Sequence, residues 1–483
     1  TEVEGLELFA DGIQDVLVGE VLSCGSHPDA DKLSVTEVAY GGSEPIQVVC
    51  GAPNVRKGLK IAFAPLGATL PGGLEIKEAK LRGVASVGMI CSERELELGD
   101  SHAGIMELPA DAPVGARLVD YLDLLDSVLE VDNKAINHRP DLWGHYGFAR
   151  EFAAILKRPL TPLPLFQDWP DQPTPVSVSV ADEAACPFYS VASFAGIAGA
   201  ATSSLSIQRR LLAVGQRPVN LVVDLTNYVL LETGQPTHAF DCKKISKGQL
   251  DVRMAKAGET LVTLDEETRS LSPQDLLITD ASAPVALAGV MGGQETQVDA
   301  STEQILLESA SFAATQIRRT SHRLGLRSES SARFEKTLDL TWPLLAQGRF
   351  AHLLLEHCAE ATVTGSPVTV GCSQPEEVQL TLEVSRVAKR LGLALSPEEM
   401  AQTLERLGFE VTVQEASLQV KVPTWRSSKD VRLPVDLEEE VGRMVGYEQI
   451  QPQPLIAPLE PASLSPEQLL ARRFATCLMG SHR

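Results

Sequence analysis

ILLESASFAATQIRRTSHRLGLRSESSARFEK, from Ile305 to Lys336, and GQPTHAFD, from Gly234 to Asp241, are the two stretches around which the chain is organised. The longer one starts as a short apolar run ending in Glu308 and passes into a basic, helix-like segment with Arg318, Arg319, His322 and Arg323. It then reaches the hydroxyls of Ser328, Ser330 and Ser331. A carboxylate at the end of a buried strand beside cations and hydroxyls suits a small polar pocket with nucleic acid nearby. Taken alone, a glutamate after Leu306 and Leu307 is more often an edge residue facing water than a desolvated acceptor. Pro236 and His238 fit a rigid turn with a satisfied histidine equally well.

Around these stretches, residues 176–368 read as a mixed α/β domain. VSVSV is a strand, LSIQRRLLAVG a helix, VNLVVDLTNYVLLETG a strand-and-helix passage, and LDVRMA, LLITD, PVALAGVMGG and QILLES are further apolar runs. Gly289, Gly292 and Gly293 let backbone approach a ligand without Cβ interference, or are plain turns. No Ser/His/Asp order or nucleophile elbow is evident, so any hydrolysis here would use a positioned water.

Toward the N-terminus, residues 7–118 read as a small barrel of the OB type. VLVGEVLSC, KLSVTEVAY, IQVVCG and KIAFAPLG carry β-branched or alternating residues between Gly, Pro and Asn signals. Lys77, Lys80 and Arg82 lie close together in sequence, and composition alone favours a solvated face for them roughly two to one. Residues 119–175 form a bridge with a helix from about Gly144 to Lys157 and a semi-rigid Pro-rich connector. His138 and His145, flanking the helix start, read as capping or packing groups without chemistry.

Toward the C-terminus, residues 376–452 form a small winged-helix-like α+β pattern. Ser396, Pro397 and Glu399 mark a helix start, and a last helix follows Pro434. Asp436, Glu439 and Glu440 share a face of that helix, with Asp430 in the turn before it. An acidic first turn complementing the helix dipole is the favoured reading, and a magnesium site is the competing one.

Composition sets the outer limits. A chain of 483 residues, 44% apolar and 22% charged, is expected to form several soluble domains, giving a multidomain α+β protein. Its net charge of −22 argues against indiscriminate binding to polyanions, so any nucleic acid must meet local basic patches. Eight singly placed cysteines without a CxxC pair predict buried free thiols, not disulfides or zinc. No apolar run reaches membrane-span length and TEVEGLELFADG lacks signal-peptide regions, so a cytoplasmic protein with no membrane partner is expected.

Family resemblance carries the reading further. HPDADKL, QVVCGAPN and IKEAKLRGVASVGMICSERELEL resemble the tRNA-binding OB domain of phenylalanine–tRNA ligase β subunits, some methionyl synthetases and free-standing tRNA-binding proteins. LVVDLTNYVLLETGQPTHAFD, VALAGVMGG, ILLESASF and RLGLRSESSARFEKTLD resemble, in order and spacing, the editing module of the same bacterial-type β subunits. That module hydrolyses tyrosine wrongly attached to phenylalanine tRNA. The resemblance implies an editing pocket of Pro236, His238, Gly289, Gly292, Glu308, Ser328 and Ser330, with Glu308 meeting the tyrosine hydroxyl. Ser330 stands where the family usually has alanine.

The resemblance also implies tRNA contacts at Lys77, Lys80 and Arg82, by shape and phosphate more than base reading. It implies magnesium (Mg2+) at Asp430, Asp436, Glu439 and Glu440, although the family's Trp-Arg-x-Asp is lengthened here to Trp425-Arg426-Ser427-Ser428-Lys429-Asp430. The implied partners are tRNA(Phe) and an α subunit, in an α2β2 assembly whose α subunit uses ATP to activate phenylalanine. Residues 453–483 would begin a catalytic-like module, making the chain the N-terminal portion of a longer subunit. The competing expectation is a non-catalytic tRNA-binding scaffold built from the same modules.

Overall fold

The computed structural model describes residues 3–99, 103–132, 134–372, 374–450 and 463–480. The barrel is an antiparallel sheet of Leu17–His27, Ala30–Ala39, Ile46–Cys50, Lys60–Ala64, Met89–Ile90 and Glu107–Leu108. Alternate residues such as Val21, Val38, Val48, Ile61 and Phe63 point inward, as strand periodicity requires. The gap beside Ile46–Cys50 is bridged by the next segment. The Val87 N–H donates to the Gln47 carbonyl (2.9 Å), and the Val49 N–H donates to Ser86 Oγ (3.0 Å). The strand Gly5–Phe9 stays outside this sheet and pairs with Asp126–Glu130.

The bridge carries a helix, His145–Ile155, after which the proline-rich segment is docked against the domain that follows. The Phe166 N–H donates to Gly348 O (2.9 Å), and Phe166 and Trp169 meet edge to face at 5.2 Å. The two histidines beside the helix make polar contacts. His145 Nδ1 lies 2.8 Å from the Leu231 carbonyl, and His138 Nε2 3.3 Å from Asp430.

The central α/β domain has two sheets packed face to face. One is antiparallel, ordered Thr237–Asp241, Gln304–Ser311, Phe188–Ala195 and Thr362–Gly371. The other is ordered Ser177–Val180, Gln249–Met254, Leu276–Thr279, Pro284–Leu287 and Met291–Gly292. Phe240, Leu250, Leu277 and Leu306 lie in the core between them, and the helices Leu221–Thr233 and Trp342–His357 cover the other face of the first. The passage read as strand and helix is helix only, over Leu221–Thr233. Asn220 Oδ1 accepts from the Val223 N–H (3.0 Å), and Gly234 ends it at φ +84°. The cap and tertiary packing outweigh the β-branched residues.

The C-terminal module is a three-stranded sheet, ordered Gln379–Glu383, Ser417–Lys421 and Glu410–Val413, with helices Val384–Leu391, Pro397–Arg406 and Pro434–Val445. The expected helix start is present as a capping box between Ser396 and Glu399. Of residues 453–483, 453–462 and 481–483 lie outside the described residues, and Pro466–Gly480 is an exposed helix. All eight cysteines are free, but only Cys50, Cys91 and Cys186 are buried; Cys372 and Cys477 are exposed. Among the described residues no helix is long and apolar enough to cross a membrane.

Candidate functional site

Glu308 lies on an interior strand, flanked by Thr237–Asp241 on one side and Phe188–Ala195 on the other, with His238 and Val191 as its register partners. The side chains of Glu308 and His238 therefore stand side by side on the face turned toward the second sheet. Glu308 is 6% exposed, and its Oε1 is enclosed without a hydrogen-bond partner among the described residues, as is His238 Nε2. His238 is held edge-on against Phe240, with ring centroids 4.6 Å apart. The edge-residue reading of Glu308 is thus overturned, because β-pairing on both sides puts its strand in the sheet interior.

The glycine turn closes over this pair. A Cβ on Gly292 would lie 2.5 Å from His238 Cε1 and 2.7 Å from Nε2, so only glycine fits against the ring. Gly289 has φ +66°, and a Cβ there would meet Phe312, Ile317 and Phe334 at 2.9–3.0 Å. Ser328 Oγ donates to the Val290 carbonyl (2.6 Å) and Ser330 Oγ to the Gly289 carbonyl (3.1 Å). Both hydroxyls thus strap the turn to the helix Glu329–Phe334, whose N-cap is Ser328. Pro236 lies at the start of the His238 strand and is buried. Glu308, His238, the glycine turn and the two serines form one cluster, with Pro236 two residues before His238 in the chain, whereas the surface concavity of about 480 Å³ bounded by Asp11, Asp15, Leu70 and Gly73 shares none of them.

Burial pushes the Glu308 carboxyl up to about 8 and the His238 imidazole down to about 4, so both are uncharged between those values. Tyr189, fully buried on the neighbouring strand, has an unpartnered hydroxyl, and its pKa is raised by burial and then by Glu308. Nothing in the sequence pattern marks Tyr189. Between pH 7 and 8 Glu308 is the main member of the pair that separates the folded and unfolded states in proton count, the unfolded His238 being mostly deprotonated there. The folded state binds more protons there, so stability falls as pH rises through that interval. A loss of about 1 kcal/mol is expected across it, seen in urea unfolding at stepped pH and absent from Glu308→Gln. An equal pH slope in both proteins would contradict it.

Lys77, Lys80 and Arg82 are exposed on the barrel, but they are not equivalent. Lys77 pairs with Glu75 at 2.7 Å. Lys80 lies in the hairpin Ala79–Leu81/Val84–Ser86, whose turn has positive φ at Arg82 (+45°) and Gly83 (+88°). Neither Lys80 nor Arg82 has an acidic partner among the described residues.

The four acidic residues that the resemblance implies as magnesium ligands lie in different surroundings. Asp436 Oδ2 accepts from the backbone N–H groups of Arg432 (2.9 Å) and Leu433 (2.8 Å), capping its own helix, and Glu439 is exposed. Asp430 is engaged by Arg426 and Arg139, and Glu440 by Arg426 (2.9 Å) and Arg443 (2.6 Å). Burial would raise the Glu440 carboxyl, yet Arg426 and Arg443 bring it down to about 2. Among the described residues no group of three or more His, Cys, Asp or Glu side chains is placed to hold a metal ion. Guanidinium groups neutralise two of the four carboxylates, Asp430 and Glu440.

These contacts belong to a larger network that sequence reading missed. Arg139 pairs with Asp141 (2.8 Å) and Glu151 (2.6 Å), and Glu151 reaches Arg443 (2.6 Å), joining the bridge to the C-terminal module. Arg150 lies 3.6 Å from Asp141 and stacks over Trp425 at 4.2 Å. The i,i+4 spacing of Arg426 and Asp430 was the one local signal, and the pairing of Glu151 with Arg443 left none.

Three family-wide sequence models match the chain: a putative tRNA binding domain over residues 16–117, a B3/4 domain over 185–359 and a tRNA synthetase B5 domain over 380–447. The phenylalanine–tRNA ligase β subunit of Oleidesulfovibrio alaskensis is 42% identical over 459 residues, covering 93% of this chain and 56% of that protein. Its counterpart in Bacillus licheniformis is 43% identical over 457 residues with the same shares. The chain therefore spans a little over half the length of these curated relatives. A solved N-terminal fragment of a phenylalanyl-tRNA synthetase β subunit from Pyrococcus horikoshii aligns at 17% identity and a TM-score of 0.35, covering 65% of this chain and 85% of that one.

Proposed function

Because the chain belongs to the phenylalanine–tRNA ligase β-subunit family, we propose that it binds tRNA(Phe) and removes tyrosine wrongly attached to it. In this reading it works with an α subunit in an α2β2 assembly, whose charging reaction consumes ATP and requires Mg2+. The observation that supports it most is the enclosed, unpartnered carboxyl of Glu308 beside His238 beneath the glycine turn.

A buried polar group left unpaired costs about 1–3 kcal/mol, and a phenol supplies the missing partner where a phenyl ring cannot. Tyrosine is thereby accepted and phenylalanine refused. Gly289 and Gly292 bring backbone close to the bound amino acid, and Ser328 and Ser330 hold that backbone in place. Since both hydroxyls already donate to carbonyls, water is the group that attacks the ester. The test is clearance of tyrosyl-tRNA by the assembled ligase, parent against Glu308→Ala; equal rates would place tyrosine recognition away from Glu308, and no clearance by the parent would reduce the chain to a tRNA-binding scaffold.

The barrel would hold the tRNA backbone through Lys80 and Arg82. Replacing both with alanine is expected to weaken tRNA binding and flatten its logarithmic salt dependence by about 2, one per phosphate contact. Titration at stepped salt checks this, and an unchanged slope would return both cations to a solvated face.

A further inference from the structure

The helix Ala314–Leu324 begins three residues after the Glu308 strand and ends four residues before Ser328. Its buried side, at Ile317, packs against the glycine turn, since a Cβ on Gly289 would lie 3.0 Å from Ile317 Cδ1. Its outer side exposes Arg318, Arg319, His322 and Arg323, and Arg327 is exposed just beyond. The Leu326 N–H donates to Ser321 O (3.0 Å), which holds the segment carrying Arg327 against the helix.

The nearby carboxylates are already committed. Asp275 is paired with Arg323 and Glu329 with Arg333, leaving Arg318, Arg319 and Arg327 without an acidic partner among the described residues. In a chain of net charge −22, three such arginines on one ordered wall are a local exception. Desolvated core packing on one side and unpaired guanidinium groups on the other fit an extended polyanion. The helix is roughly 16 Å long at 1.5 Å per residue, long enough to follow several successive phosphates.

We propose that this face binds the sugar–phosphate backbone of the single-stranded 3′ end of the tRNA, delivering the terminal aminoacyl ester to the Glu308 cluster. The proposal rests on the editing reading for its destination, but the surface itself can be tested separately. The arginines act as positioning residues, through phosphate, and do not touch the ester.

The experiment uses the assembled ligase with Arg318→Ala, Arg319→Ala and Arg327→Ala combined. Two substrates are compared: tyrosyl-tRNA, and tyrosine esterified to adenosine alone, which carries no phosphate. The expected result is a KM for tyrosyl-tRNA raised about 10-fold or more, with its logarithmic salt dependence reduced by about 2, at roughly 0.7 per phosphate on a single strand. Hydrolysis of tyrosyl-adenosine should match the parent. Parental KM and salt slope on tyrosyl-tRNA would overturn the proposal. If the parent ligase hydrolyses neither substrate, the editing reading fails, and binding of an acceptor-stem RNA ending in a free single strand decides the surface. Weakened binding by the triple variant then supports the face as an RNA site. Parental binding, with or without loss of a protein partner, overturns it.

Discussion

An assembled ligase carrying Glu308→Ala is expected to clear tyrosyl-tRNA about 10- to 100-fold more slowly than the parent while charging phenylalanine at the parental rate. The magnitude follows from one buried hydrogen bond to the phenol, worth about 1.5–3 kcal/mol at such a site. Because Oε1 is enclosed and has no partner among the described residues, removing the carboxyl takes away the group proposed to meet the phenol without orphaning another. The fold should tolerate the change, since burial has already pushed this carboxyl up to about 8 and its ionised form is a burden on the folded state. Glu308→Gln keeps an acceptor in the same shape and should retain more activity than the alanine variant. Parental clearance by Glu308→Ala would mean that tyrosine is recognised elsewhere.

Arg426→Met should destabilise the C-terminal module by about 3–5 kcal/mol, the usual cost of removing one partner from a buried ionic cluster. Arg426 is 1% exposed and serves both Asp430 and Glu440. Without it, Asp430 keeps only the longer contacts to Arg139 (3.4 Å) and His138 (3.3 Å), and Glu440 keeps only Arg443. The four arginines Arg139, Arg150, Arg426 and Arg443 otherwise balance Asp141, Glu151, Asp430 and Glu440, and the variant leaves one negative charge in excess. Denaturant unfolding and limited proteolysis between the bridge and this module would report the loss. A change under about 1 kcal/mol, as at an exposed pair, would show that the cluster is solvated.

Local pattern determined most of the secondary structure: alternation gave the barrel strands, Ser396 with Pro397 and Glu399 gave a helix start, and QILLES gave the Glu308 strand. These features are legible because strand pleating and helix capping depend on residues within a few positions of one another. The order of motifs along the chain was likewise enough to carry its family membership.

What the tertiary structure alone decided is which charges meet. Whether Glu308 faced water depended on strands 70 and 117 residues away, since His238 and Val191 flank it only after the sheet closes. Helical spacing favoured an acidic first turn for the group around Asp430 and the resemblance implied metal ligands, but Arg139 and Glu151, from almost 300 residues earlier, help turn that corner into an arginine–carboxylate network. Ser328 and Ser330 read as pocket hydroxyls and became fasteners for a turn whose carbonyls lie about 40 residues upstream. In each case the side chain's chemistry is written locally, while its desolvation and its partner come from chain segments that only packing brings together.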